Sequence, residues 1–133
     1  MLRFKTPSLK DEFSEINPKL RVVLYVTAGF LDTYCNAAAM VTSLLRPTDE
    51  KTDPHYWGNA ADIRTHSLEP DEVDALLEFL NSHIEYDGRK LVAVDERDPL
   101  PKGAKWTGPH IHIQVKNSTK MVKYMKSYVN PSL

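Results

Sequence analysis

The segment His110-Ile111-His112-Ile113-Gln114-Val115 alternates strictly between polar and apolar side chains. Because successive side chains of a β-strand point to opposite faces of a sheet, this pattern predicts a strand with one face packed in a core. The opposite face would present two imidazoles and an amide. The chain is therefore expected to form a sheet whose polar face carries a site of chemical function.

A second segment, Asp53-Pro54-His55-Tyr56-Trp57-Gly58-Asn59-Ala60-Ala61-Asp62, offers polar groups that could face the same site. His55 and Asp62 lie seven residues apart across a glycine-containing turn, so an imidazole and a carboxylate can converge. A third nitrogen would come from His110 or His112. Two histidines and one carboxylate without a thiolate are typical of catalytic zinc, which keeps a position for water, whereas structural zinc sites are usually closed and sulfur-rich.

Two helices are predicted from periodicity and end signals. Asn17 and Pro18 suit the cap and first position of a helix over residues 18–34, whose apolar side chains recur at helical spacing. Residues 22–26 could also form a buried strand, but the length of the pattern favours the helix. A second helix is predicted to begin within residues 67–71. Its core stripe would comprise Val73, Leu76, Leu77 and Leu80.

The other segments complete an α+β architecture. Further strands are predicted over residues 37–45, 61–65 and 90–95. Residues 1–16 are expected to form an extended entry with a short helical turn, and residues 118–128 a short helix. Together these elements predict one domain, residues 1–133, with a small antiparallel sheet that carries the metal site and helices packed on it.

Composition excludes several classes of function. The 133 residues, 41% of them apolar and 26% charged, fit one globular domain. A net charge of -1 gives no basic field for nucleic acid or an anionic membrane, and no apolar run suits a secretory signal or a membrane span. We expect a monomer that is cytoplasmic as synthesised. Cys35, the lone cysteine, is expected to be a small core residue.

Iron is the alternative to zinc for such a ligand set. Triads of two histidines and one carboxylate also hold non-haem iron in oxygenases. That chemistry usually accompanies a His-x-Asp spacing on a double-sheet barrel of many short strands. The longer spacing between His55 and Asp62, and the substantial helices, favour zinc.

The two motifs together resemble a known superfamily. His55-x-x-Gly58-x-Ala60-x-Asp62, followed by His110-x-His112, is similar to the motifs of zinc D-alanyl-D-alanine carboxypeptidases. These enzymes share a superfamily with the hedgehog signalling domain and phage endolysins. The resemblance covers residues 17–116 and implies a hedgehog/DD-peptidase-like α+β fold.

The resemblance also implies roles for individual residues. His55, Asp62 and His112 match the zinc ligands of the family, although both His110 and His112 lie on the same strand face. Arg46, at the end of the strand before the first motif, matches an arginine that contacts the substrate or the developing oxyanion. The alternative for Arg46 is a solvated side chain at a strand end.

The sequence departs from the family at the general base. Many members have a glutamate three residues before the last histidine ligand, where this chain has Pro109. His110 is similar to the first histidine of the His-x-His pair of murein endopeptidases, which implies a role in proton transfer. It could instead only orient water. Asp53 stands where many members have a serine. Its carboxylate could accept a hydrogen bond that supports the first metal ligand, or it could only cap the loop.

Two tryptophans are candidates for the walls of a substrate cleft. Trp57 and Trp106 lie near the two motifs, and each could line the cleft or pack structurally. His66 and His83 fall outside the motifs and are predicted to be surface residues.

These features predict a zinc metallopeptidase that cleaves peptidoglycan peptides next to D-amino acids, as a D,D-carboxypeptidase or an endolysin-type endopeptidase. It could serve as a phage or prophage lysis enzyme or as a virion component. The alternative is a catalytically silent zinc module of the same fold, used for binding or phage assembly. The missing glutamate is the best support for that alternative.

Overall fold

A five-stranded sheet and a two-stranded sheet organise the structure, a computed structural model that describes residues 1–45, 51, 53–86, 92–96 and 109–121. The larger sheet has the strand order β1-β2-β3-β6-β5, and the smaller one pairs β4 with β7. The strands are β1 (Leu2–Phe4), β2 (Ala39–Ser43), β3 (Ala60–Arg64), β4 (Ile84–Glu85), β5 (Ala93–Glu96), β6 (His110–Gln114) and β7 (Lys120–Met121).

The larger sheet is antiparallel at the predicted site strands, β3 and β6, but it is mixed as a whole, which the prediction of an antiparallel sheet did not include. Strand β1 pairs with β2 in parallel, whereas β2, β3, β6 and β5 pair antiparallel. Parallel neighbours need a long crossover, and two helices, α1 (Pro7–Glu12) and α2 (Pro18–Cys35), lie between β1 and β2 in the chain. The entry segment thus contributes an edge strand as well as a helix. The coarse prediction of mixed α and β structure is confirmed.

Both predicted long helices are present. The Asn17 side chain accepts a hydrogen bond from the Lys19 N–H at the start of α2, and Asn36 ends this helix in a left-handed conformation with φ 50°. The helical prediction for residues 18–34 is therefore confirmed, and the strand alternative is wrong. Helix α3 (Pro70–His83) begins within the predicted segment, where the Glu72 carboxylate accepts the Glu69 backbone N–H at 2.8 Å.

The core lies between the helices and one face of the larger sheet. Ile111 and Ile113 of β6 are fully buried there, as their alternation with polar residues predicted. Burying each such side chain stabilises the fold by about 1.5–3 kcal/mol. This packing leaves the other face of β6 for the polar side chains. The fully buried core residues of the helices include Leu20, Leu24, Leu31, Leu76 and Leu80.

Two smaller predictions are wrong and one is confirmed. Lys120–Met121 is a strand rather than part of a helix, because it pairs with β4, while residues 122–128 lie outside the described residues. His83 is buried rather than at the surface. Its ring Nδ1 lies 2.8 Å from the Phe79 carbonyl oxygen one helical turn earlier, which satisfies it there. His66 is exposed, as predicted.

Among the helices of the described residues, none combines the length and the apolar character needed to cross a membrane. Cys35 is partly buried and packs against the core, in agreement with the expectation of a small core residue. Burial raises the pKa of its thiol.

Candidate metal centre

Strand pairing brings Asp62 and His112 together. The register of β3 against β6 places these two residues opposite each other, although they are 50 residues apart in the chain. Directly opposed side chains of antiparallel strands have Cβ atoms about 4.5–5.5 Å apart. The Asp62 Oδ1 atom lies 3.1 Å from His112 Nδ1. A carboxylate and an imidazole thus meet on the polar face of the sheet.

A short 3-10 helix, Pro54–Trp57, brings His55 to the same place. The Asp53 carboxylate caps this helix by accepting the His55 N–H at 2.8 Å, so Asp53 has the capping role that the sequence left open. Gly58 ends the helix with φ 70°, and a Cβ there would lie 3.2 Å from the Ile16 Cα. Only glycine fits this turn without strain. The His55 Nε2 atom then lies 3.4 Å from Asp62 Oδ1.

The hydrogen bonds of His55 leave one ring nitrogen available for a ligand. Its Nδ1–H donates to the Leu44 carbonyl oxygen at 2.8 Å, which assigns the lone pair to Nε2. The Nε2 atom is buried and has no hydrogen-bond partner among the described residues. Leaving a buried polar atom unsatisfied costs about 1–3 kcal/mol. A metal ion at this position would satisfy it.

His112 is oriented by a hydrogen-bond chain behind it. Its Nε2–H donates to Gln114 Oε1 at 2.8 Å, and the Gln114 amide donates to the Tyr86 hydroxyl at 2.6 Å. This arrangement leaves His112 Nδ1 facing Asp62. Histidine ligands of metals usually donate their second N–H to such an acceptor. The sequence had placed Gln114 on the site face without a role, and its position two residues after His112 was the available signal.

The three side chains can hold a metal ion. One ligand atom from each of His55, Asp62 and His112 lies within 4.8 Å of the others. His55 and Asp62 are buried and His112 is partly buried. Burial opposes ionisation of Asp62, but the hydrogen bond that its carboxylate accepts from His112 is the largest opposing effect, and the pKa is held well below the usual range. The carboxylate is therefore ionised and ready to bind a cation.

The protonation of His112 depends on the same contacts. Burial opposes its charged form, but its hydrogen bonds to Asp62 and Gln114 outweigh this and raise its pKa. In the metal-free protein, both ring nitrogens of His112 are in position to donate. Where His112 is protonated, a metal ion must replace the proton on Nδ1.

His110 and Glu96 lie beside this cluster. The His110 Nε2 atom is 3.7 Å from Asp62 Oδ1 and 2.6 Å from Glu96 Oε2. Glu96 is the last residue of β5 and lies opposite His110 in the sheet register. Sequence reasoning missed Glu96, since it ended this strand at residue 95. The position of Glu96 beside His110 is set by the pairing of β5 with β6, for which the local sequence offers no signal.

Of the remaining predicted site residues, the structure describes Trp57. Trp57 is 60% exposed, and its indole N–H donates to the Lys51 carbonyl oxygen at 2.7 Å, so it is not a core residue. Arg46 and Trp106 lie outside the described residues. Arg64 lies opposite His110 in the β3–β6 register.

Comparison of the chain with protein-family models, with curated proteins and with solved structures found no match.

Proposed function

We propose that this protein is a zinc metallopeptidase of hedgehog/DD-peptidase-like fold. The observation that carries the proposal is the buried, unpartnered Nε2 of His55, which lies 3.4 Å from Asp62 Oδ1 in a cluster where one ligand atom of each of His55, Asp62 and His112 lies within 4.8 Å of the others. Two imidazoles and one carboxylate make an incomplete shell for a tetrahedral ion. The fourth position is left for water or substrate.

Zinc is the metal that this donor set favours. Nitrogen and oxygen donors without sulfur match catalytic zinc sites, and the spacing of His55 and Asp62 differs from the His-x-Asp spacing of iron oxygenases. Bound zinc would polarise the scissile carbonyl and lower the pKa of water to about 7. The protein supplies the orientation of the ligands, which is fixed by the Leu44 carbonyl behind His55 and by Gln114 behind His112.

The proposed substrate is a peptidoglycan peptide cleaved next to a D-amino acid. This substrate class follows from the resemblance to D-alanyl-D-alanine carboxypeptidases and endolysins. Arg46 would bind a substrate carboxylate or the oxyanion through a charge-assisted pair, and Trp57 and Trp106 would line the cleft. The resemblance to murein endopeptidases implies a role for His110 in proton transfer. A phage or prophage lysis enzyme, or a virion component, would use this activity.

A silent zinc module for binding or phage assembly is the second candidate. The observation in its favour is Pro109, which occupies the position of the family's catalytic glutamate. Such a module would bind zinc through the same three residues and hydrolyse nothing.

The test compares wild type with Asp62→Asn, which keeps the shape of the side chain and removes its charge. Zinc content is measured first, and then the release of new amino groups from purified peptidoglycan. We expect one zinc per wild-type chain and hydrolysis only by the wild type. A zinc-loaded but inactive wild type would indicate the silent module.

Asp32→Asn is the matched control, because Asp32 is exposed and pairs with the chain's amino terminus instead of the cluster. It should bind zinc and hydrolyse peptidoglycan like the wild type. If Asp62→Asn binds zinc as tightly as the control, the assigned metal centre is wrong.

A further inference from the structure

We propose that Glu96 is the general base of this site and that His110 is its positioning partner. The inference rests on the proposed function. It assigns to a residue of a neighbouring strand the role that the family gives to a glutamate at the position of Pro109. Glu96 touches the attacking water, whereas His110 acts through Glu96.

Strand register brings the Glu96 carboxylate to the cluster. Glu96 of β5 lies opposite His110 of β6, and His112 lies two residues further along β6 on the same face. The Glu96 Oε2 atom is 2.6 Å from the His110 Nε2, which is itself 3.7 Å from Asp62 Oδ1. The His110 side chain therefore bridges the Glu96 carboxylate and the Asp62 carboxylate of the cluster. Its side chain is 36% exposed, so water reaches it.

The same nitrogen of His110 faces both carboxylates. In a catalytic triad, the histidine uses one ring nitrogen for its carboxylate and the other for the reacting proton. Here the Nε2 atom that approaches Asp62 is also the atom that donates to Glu96. A nitrogen that carries a hydrogen and donates it has no lone pair to accept a proton from water. The geometry thus excludes a triad-like role for His110 through Nε2.

Glu96 has the acceptor capacity that His110 Nε2 lacks. An ionised carboxylate has two oxygens and accepts several hydrogen bonds, so it can hold the His110 N–H and the attacking water together. The charge-assisted bond to His110 fixes a side chain that would otherwise have several rotamers. This orientation places the carboxylate beside the metal cluster rather than in bulk solvent.

The proton balance of the step is simple. An O–H bond of the attacking water breaks, its oxygen bonds to the scissile carbonyl carbon, and the proton moves to a Glu96 oxygen. The C–N bond then breaks, and the same proton moves to the leaving nitrogen as the carbonyl reforms. Glu96 returns to its ionised form. The second proton of the water stays on the new carboxyl group and then passes to the amine, so the products at neutral pH are a carboxylate and an ammonium group, and no oxidant or reductant is needed.

The first test measures kinetics on a soluble peptidoglycan peptide with zinc-loaded proteins. Glu96→Gln should lower kcat by roughly 100-fold to 10,000-fold with KM nearly unchanged, which is the usual contribution of a general base. Glu96→Asp should keep part of the activity, since it retains a carboxylate. Asp95→Asn is the matched control, because Asp95 is the adjacent acidic residue on the opposite face of the same strand, and it should behave like the wild type.

Chemical rescue separates a base from a structural residue. Added formate should raise kcat of Glu96→Ala in proportion to its concentration, because it can enter the vacated space as a carboxylate. Formate should not raise kcat of His110→Ala. Rescue of His110→Ala by imidazole, with no rescue of Glu96→Ala by formate, would assign the base to His110 and overturn the inference.

Zinc affinity provides a readout that does not depend on activity. Glu96→Gln should bind zinc as tightly as the wild type in a chelator competition, and weaker binding would make Glu96 a metal ligand and overturn its role as base. An active wild type with an equally active Glu96→Gln would overturn the inference alone. A zinc-loaded wild type without hydrolysis would overturn both the proposed function and the inference.

Discussion

The His55 Nε2 lies 3.4 Å from Asp62 Oδ1, and this nitrogen has no hydrogen-bond partner among the described residues. This relationship connects stability to metal binding, because a metal ion at this position would satisfy a buried atom that has no partner among the described residues. Any ligand that binds the folded state alone stabilises it by mass action.

Zinc should therefore stabilise the protein through His55. At a free zinc concentration of 100 times Kd, the free energy of unfolding should rise by about 2.7 kcal/mol. Urea denaturation with and without zinc measures this gain. His55→Gln should lose most of it. An equal gain in His55→Gln would place zinc at another site.

The pH dependence of the metal-free protein should show the raised pKa of His112. A raised pKa in the folded state contributes stability below the unfolded value of about 6.5, and this contribution is lost as pH rises through the folded value. The lowered pKa of Asp62 contributes stability above about 3.9 that is lost as pH falls. The metal-free protein should thus become less stable above neutral pH and below pH 4.

Bound zinc should counteract the loss of stability that the metal-free protein shows as pH rises. Because zinc would have to displace the proton of protonated His112, its affinity should increase with pH over the window in which His112 titrates. Urea denaturation from pH 5.5 to 8.5 should show a widening gap between zinc-loaded and metal-free protein. In His112→Gln this widening should disappear. A constant gap in the wild type would show that no proton is released on binding.

Gln114 should control zinc affinity without binding the metal. Gln114→Leu removes the acceptor for the His112 Nε2–H, and we expect affinity to fall by about 10-fold to 100-fold. Gln114→Glu keeps an acceptor and should bind zinc more tightly than Gln114→Leu. Chelator competition measures both. Equal affinities in wild type and Gln114→Leu would show that this hydrogen bond does not orient the ligand.

Two glycines should respond oppositely to alanine. Gly58→Ala forces a left-handed residue and a Cβ 3.1 Å from the Leu45 side chain, so stability should fall by roughly 1–3 kcal/mol. Gly29→Ala lies inside α2 with no atom within 4 Å of the new Cβ, and should stabilise by roughly 0.5–1 kcal/mol. Urea denaturation compares them. Two effects of the same sign would contradict the role assigned to the Gly58 turn.

Local patterns predicted those parts of the fold that local interactions decide. Asn17 and Pro18 marked the start of α2 because capping involves only neighbouring residues. The alternation in β6 predicted which side chains face the core, since the period of a strand is set by its own backbone. The convergence of His55 and Asp62 followed from a short turn between them.

The features that sequence reasoning missed depend on pairing between distant segments. The parallel partner of β1 lies beyond two helices, and the partner of Glu96 lies on another strand, so neither has a local signature. His83 resembled a surface residue because its burial depends on the packing of α3. Pro109 stands where the resembled family has a glutamate, and the pairing of β5 with β6 brings Glu96 beside His110 instead.

The 50-residue separation of Asp62 and His112 has a consequence for biosynthesis. While a ribosome is still adding the segment before β6, the nascent polypeptide lacks one of the three donors, so tight metal capture must wait for this late strand. Bound zinc would thus report that translation has passed β6 and that the strand has docked.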